Sequence, residues 1–223
     1  MEQKIDEHNR LNEEKWNSWA NTFDSKRYAR FRFMQKRLVL MLGLKGNQHL
    51  LDLGCGTGWA VIYAASLVNN RGGFYGIDIS PKMIEKAKSN SADCSNVFFF
   101  QGNAEQLNFK DNFFDFIICS NSFHHYFRPD KVLSETYRVL KSKGRIYILD
   151  GTGDNFVIKI ADKRAKKKDP THVKMYSTRE YRELFFNANL KYISSKSIWG
   201  FYAIKVHIAE KRYNNCNKSL RPN

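Results

Sequence analysis

Residues 50–60 read LLDLGCGTGWA, and this stretch decides the fold. An apolar run carries an aspartate near its end, and three glycines then follow at alternate positions before apolar residues resume. Glycine reaches backbone conformations that other residues avoid, and it lets a ligand come close to the main chain. A glycine-rich turn that leaves a strand and opens a helix marks a ligand-binding βαβ unit.

The spacing selects the ligand. A dinucleotide fingerprint needs G-x-G-x-x-G, or alanine in the last place. Gly54 and Gly56 fit the first two places, but the third falls on Trp59. The pattern present is Asp52-x-Gly54-x-Gly56-x-Gly58, with Cys55 inside the turn. A buried carboxylate is a poor neighbour for a pyrophosphate and a good one for an ammonium group. A ligand with a cationic amino-acid end and an adenosine end fits, and S-adenosylmethionine is that ligand.

Working outward, strand-like runs stand at 49–53, 73–79, 96–102, 114–120 and 145–150, separated mostly by helical stretches. Near-continuous apolar strands alternating with helices predict a parallel sheet covered on both faces. Ser80 and Pro81 suit the cap and first turn of one helix, and Pro129 opens another, with Gly144 expected as the left-handed residue past its end. Ser177 and Glu180 form a capping box. Runs 191–199 and 202–211 follow one another without a helix, so they predict a hairpin and one antiparallel strand. The run Phe98–Phe100 reads as core strand. Residues 3–20 and 28–44 read as amphipathic helices, and Trp16, Trp19, Phe23 and Tyr28 mark an apolar face that would fold over the ligand as a lid.

The remaining strand ends supply the rest of the expected site. Asp78, ending the second strand, can accept both hydroxyls of a ribose. Ile79 and Met83 can lie on an adenine face, Asn103 can pair with the adenine amino edge, and the Ala104 N–H can meet a ring nitrogen. The fourth strand ends in CSNSFHHYF (119–127), which places Ser120 at the amino-acid end of the ligand and His124 and His125 at the substrate mouth. His125 is the candidate base, since imidazole titrates near working pH. No His, Cys or carboxylate cluster has metal-ligand spacing, so no metal is expected.

Together DLGCGTG, GIDISPKMIEKAK, GNAEQLNF, FDFIICSNSFHHY and ETYRVLKSKGRIYILD, in that order, resemble the class I S-adenosylmethionine-dependent methyltransferases. The nearer likeness is to the small-molecule group that includes the quinone and sterol methyltransferases. The likeness covers residues 45–152 well and the C-terminal THVKMYSTREYRELFFNANL more loosely. It implies a Rossmann-like, doubly wound α/β fold with a seven-stranded sheet of order 3-2-1-4-5-7-6 and strand seven antiparallel. The expected organisation is a helical cap (1–45), a methyltransferase domain (46–213) and a C-terminal tail (214–223). Where the family often has Asp, this chain has Asn103, which still accepts a hydrogen bond.

The 223 residues carry a net charge of +15. Residues 46–150 hold 11 Lys and Arg against 10 Asp and Glu, whereas 151–223 hold 16 against 6. The excess centres on 159–174. It reads either as solvated surface or as an attractor for an anionic or membrane-held acceptor. Four cysteines without paired spacing, a polar N-terminus and no bilayer-length apolar run lead to the expectation of a reduced, cytoplasmic protein.

A small-molecule or lipid-like acceptor methylated by in-line displacement is therefore expected. RNA or protein methylation and non-catalytic cofactor binding are the alternatives. Against nucleic acid, the place of a (Asp/Asn)-Pro-Pro-aromatic turn is taken by Ser120-Asn121-Ser122-Phe123. The oligomeric state is not legible in the sequence.

Overall fold

The computed structural model describes residues 2–25, 29–69, 71–154, 156–198 and 204–212. Tyr28, Cys216 and the expected tail lie outside the described residues. The elements in chain order are α1 (Glu2–Trp19), α2 (Ala29–Met41), β1 (His49–Leu53), α3 (Trp59–Leu67), β2 (Gly73–Asp78), α4 (Pro81–Asn90), β3 (Val97–Gln101), β4 (Phe114–Ser120), α5 (Pro129–Val139), β5 (Leu140–Gly151), α6 (Phe156–Lys168), α7 (Thr178–Asn187), β6 (Leu190–Ser197) and β7 (Ile204–Lys211). The sheet runs β3-β2-β1-β4-β5-β7-β6. Strands β1 to β5 pair in parallel, and β7 runs antiparallel to both β5 and β6.

Period-two alternation builds two cores from the same strands. Leu50, Phe116, Ile118, Tyr147, Leu149, Val206 and Ile208 point to the face covered by α2, α3 and α4. Leu51, Leu53, Ile117, Cys119, Ile146, Ile148 and Ala209 point to the other, against α5 and α7. This explains why the strands read as continuous apolar runs rather than alternating ones. Met34, Leu38 and Val39 sink α2 into the first core. Helix α1 instead buries only Ile5, His8 and Asn12, and it lies over the carboxyl ends of the strands.

The expected caps are present. The Ser80 Oγ accepts from the Met83 N–H (3.1 Å). The Ser177 hydroxyl and the Glu180 carboxylate close the capping box of α7. Two expectations need correction. Helix α5 stops at Val139, and β5 begins at Leu140. The left-handed residue is Lys143 (φ 63°), not Gly144, and it lies within the irregular start of β5. Gly144 is required for space instead, since a Cβ there would meet the Lys141 carbonyl at 2.8 Å. In the Phe98–Phe100 run only Phe99 is buried, while Phe98 and Phe100 are 41% and 46% exposed. Strand β3 is an edge strand, and its second face is only partly covered, with Phe98 stacked on Tyr75 and Phe100 against Phe109.

Candidate active site

In an open parallel sheet a ligand binds at the carboxyl ends of the strands, where the chain order reverses. Here β1 lies between β2 and β4, and the loops after β1, β2, β3, β4 and β5 converge. They enclose a cavity of about 480 Å³, roofed by Asn12, Lys15, Trp16 and Trp19 of α1 and by Phe23.

The glycine turn forms its floor. Gly54, Gly56 and Gly58 all have positive φ (71°, 53° and 82°), which strains any other residue. They differ in what surrounds them. A Cβ on Gly54 would strike Ser122 Oγ at 2.7 Å, and one on Gly58 would strike Phe99 at 2.4 Å. A Cβ on Gly56 would only touch the Phe23 ring at 3.4 Å. Gly58 thus packs helix α3 against the sheet, while Gly54 and Gly56 line the cavity.

Two carboxylates flank the turn. Asp52 is fully buried in β1, and neither of its oxygens has a hydrogen-bond partner. It lies behind the cavity wall rather than on it. Burial, and then the nearby charge of Asp78, push its carboxyl well above the usual range. Asp78 does line the cavity. Its Oδ2 accepts from the Gly56 N–H and its Oδ1 from the Ser80 N–H, both at 2.9 Å. Burial raises its carboxyl to about 6 against the pull of those N–H donors. Each oxygen keeps a second lone pair for a ligand.

Cys55, Ile79, Met83, Asn103, Ala104 and Ser120 all line the same cavity. Burial raises the Cys55 thiol, with the charges of Asp78 and Asp52 adding to it. Asn103 Oδ1 already accepts from the Glu105 N–H at 2.9 Å, so a ligand amino group would be its second donor. The cap is tied down by polar contacts. Thr57 donates to Asp24 (2.6 Å), Ser80 donates to Asn17 (2.7 Å), and Lys15 donates to Asp169 (2.5 Å).

The two histidines diverge. His125 Nδ1–H donates to the Thr171 carbonyl at 2.8 Å, its own carbonyl accepts from His8, and its ring meets Trp16 edge-on. Burial, then the neighbouring His124 and Lys15, lower it to about 3, so it holds an abstracted proton poorly. His124 Nδ1 lies 2.7 and 2.9 Å from the two oxygens of Asp150. A carboxylate accepts, so Nδ1 carries a proton and donates it to Asp150. Asp150 also accepts from the His124 and Gly151 N–H groups. Burial opposes its charge, yet His124 and these donors outweigh burial and keep its carboxyl below the ordinary value.

Sequence reasoning did not single out Asp150. The signal was available, because it ends a strand as Asp52 and Asp78 do. It also did not find Asn12 and Lys15 on the cavity roof, whose polarity gives no hint that α1 covers a pocket. Helix α6 adds Ile158 and Ala161 to the wall. Among the described residues no group of three or more His, Cys, Asp or Glu is placed to hold a metal, and no helix is long and apolar enough to cross a membrane.

The methyltransferase-domain family matches residues 44–193. The chain is 35% identical over 122 residues to the ubiquinone/menaquinone biosynthesis C-methyltransferase of Wigglesworthia glossinidia brevipalpis, covering 53% of this chain and 49% of that protein. It is 31% identical over 152 residues to the uncharacterized methyltransferase YcgJ of Bacillus subtilis, covering 66% and 59%. The chain thus spans about half the length of the curated relatives it matches. Among solved structures, a SAM-dependent methyltransferase from Aquifex aeolicus superposes with a TM-score of 0.69 at 25% identity, over 87% of this chain and 98% of that one.

Proposed function

Since the chain belongs to the methyltransferase-domain family and has the class I S-adenosylmethionine-dependent fold, we propose that it methylates a small, largely apolar acceptor. The observation that carries the cofactor reading is the buried carboxylate of Asp52, unpartnered behind the Gly54–Gly56 turn, with Asp78 at the neighbouring strand end. Such a pair favours a cationic ligand with a ribose over a dinucleotide, because a buried anion needs a counter-charge or hydrogen bonds. On this reading Asp78 holds the ribose hydroxyls, Ile79 and Met83 the adenine face, and Asn103 and Ala104 its edge. Gly54, Cys55, Gly56 and Ser120 hold the amino-acid end, with Asp52 supplying the field beneath it.

When bound, S-adenosylmethionine supplies an electrophilic methyl group that an acceptor atom takes by in-line displacement from sulfur. The residues then have to exclude water, align the acceptor and dispose of its proton. Trp16 and Trp19 close the cavity from α1, and Phe23 from the turn after it. His124, rather than the His125 favoured by sequence, takes the acceptor's proton at Nε2, while Asp150 fixes the tautomer through Nδ1 and balances the imidazolium. His125 positions the 124–125 turn against Thr171 and α1.

Trp16, Trp19, Phe31, Ile158, Met175 and Ile204 also line the cavity, and they offer an apolar acceptor its contacts. The relative named for ubiquinone/menaquinone biosynthesis is consistent with that class. The test is methyl transfer from labelled S-adenosylmethionine into a cell extract fractionated into lipid, small-molecule, RNA and protein pools. Label in the lipid or small-molecule pool, lost in His124→Gln and Asp150→Asn at unchanged cofactor affinity, is expected. Label confined to RNA or protein refutes the acceptor class.

A further inference from the structure

Helix α6 has two unlike sides. One faces the protein: Ile158 and Ala161 line the cavity, and Asp162 accepts from His172 (2.7 Å) and from the Met175 N–H (2.8 Å). The other side faces solvent and is apolar in its first turns. Phe156 is 76% exposed, Val157 71% and Ile160 37%. At helical spacing Phe156 and Ile160 continue into Lys163 and Lys167, and Val157 continues into Arg164 and Lys168. Lys159 and Lys166 flank this surface. Of these six Lys and Arg, only Lys166 forms an ion pair among the described residues, with Asp162 at 3.3 Å.

Cations alone would suit any polyanion, but Phe156, Val157 and Ile160 would then gain nothing from being exposed. Large apolar side chains among lysines on one exposed helix face are the pattern of a helix lying in a membrane interface. The anionic headgroups complement the charge, and the acyl boundary takes the apolar residues. We propose that α6 docks this protein on an anionic lipid bilayer, with Phe156, Val157 and Ile160 entering the headgroup–acyl boundary. An apolar acceptor then passes from the bilayer into the cavity beside Ile158 and Ala161. This acceptor route rests on the function proposed above, whereas the docking rests on α6 itself.

The test is co-sedimentation of the full chain with vesicles of phosphatidylcholine alone or mixed with phosphatidylglycerol. Wild type should sediment with the mixed vesicles only, and added salt should release it. The triple K166Q/K167Q/K168Q variant should lose about a hundredfold in partitioning, from about fivefold for each of three neutralised charges near the surface. The F156S/V157S variant keeps every charge and should also bind more weakly, at unchanged S-adenosylhomocysteine affinity. Equal sedimentation with neutral vesicles overturns the proposal. So does full retention by F156S/V157S, or no vesicle binding alongside tight single-stranded RNA binding. Vesicle binding by a protein that transfers no methyl group would support the docking and remove the function above. Methyl transfer to a small acceptor without vesicle binding would do the reverse.

Discussion

Lowering the pH from 7 to 5 should weaken binding of S-adenosylhomocysteine about tenfold, through Asp78. Burial raises this carboxyl to about 6 in the free protein against the N–H groups of Ser80 and Gly56. On the proposed reading ribose hydroxyls donate to the ionised carboxylate, so below pH 6 the group must first lose a proton. Affinity is therefore full above that pKa and lost as pH falls through it. With one titrating group, the apparent dissociation constant rises as 1 + 10^(6 − pH), which is roughly 1.1 at pH 7 and 11 at pH 5. The ratio is worth about 1.4 kcal/mol. Titration calorimetry over that range measures it, and repeating it in buffers of different ionisation enthalpy counts the protons released. Asp78→Asn should flatten the profile while keeping one acceptor oxygen, and Asp78→Ala should cost about 1.5–3 kcal/mol at pH 7. A wild-type affinity unchanged between pH 7 and 5, or an Asp78→Asn profile as steep as wild type, would refute the reasoning.

Other outcomes follow from the same geometry. Asp52→Asn replaces one buried unpartnered polar group by another, so it should leave the melting temperature of the ligand-free protein nearly unchanged but weaken binding of the cationic cofactor; calorimetry in both states checks the two outcomes. His207 is fully buried, has no partner on either ring nitrogen, stacks on Tyr181, and is lowered to about 4 by burial. The unfolded chain binds its proton near 6.5, so its contribution to stability is full above that pH and is lost as pH falls towards 4. Urea titrations should show roughly 3 kcal/mol of that loss absent from His207→Phe. Gly58→Ala combines a φ of 82° with a Cβ contact of 2.4 Å to Phe99, so it should destabilise the fold by about 2–3 kcal/mol. Gly56→Ala, with only the 3.4 Å contact to Phe23, should fall mainly on ligand affinity.

The strand ends around Asp52 and Asp78 were legible because their chemistry is local: a glycine turn, an acid and an apolar run sit within a few residues. Sheet order followed from the family likeness, and the terminal hairpin followed from two strand runs without a helix between them. Reading failed where long-range neighbours decide. His124 and Asp150 lie 26 residues apart, and only the pairing of β4 with β5 brings them together. His125 is the more conspicuous candidate in sequence, but Thr171, His8 and Trp16 hold it, and none of these is near it in the chain. The end of α5 was misplaced because the chain leaves the helix at Leu140, which is already extended, before it reaches Lys143 and Gly144. The lysine-rich run 159–168 reads in sequence as solvated surface or an attractor, and it is helical surface anchored through Ile158, Ala161 and Asp162.

The most direct measurement is a crystal structure of the complex with S-adenosylhomocysteine. The account predicts ribose hydroxyls on Asp78, the amino-acid end over Gly54–Gly56 above Asp52, and the sulfur turned towards His124 beneath the α1 roof. A ligand bound outside this cavity, or one whose sulfur points away from His124 with the Asp78 carboxylate unused, would contradict it.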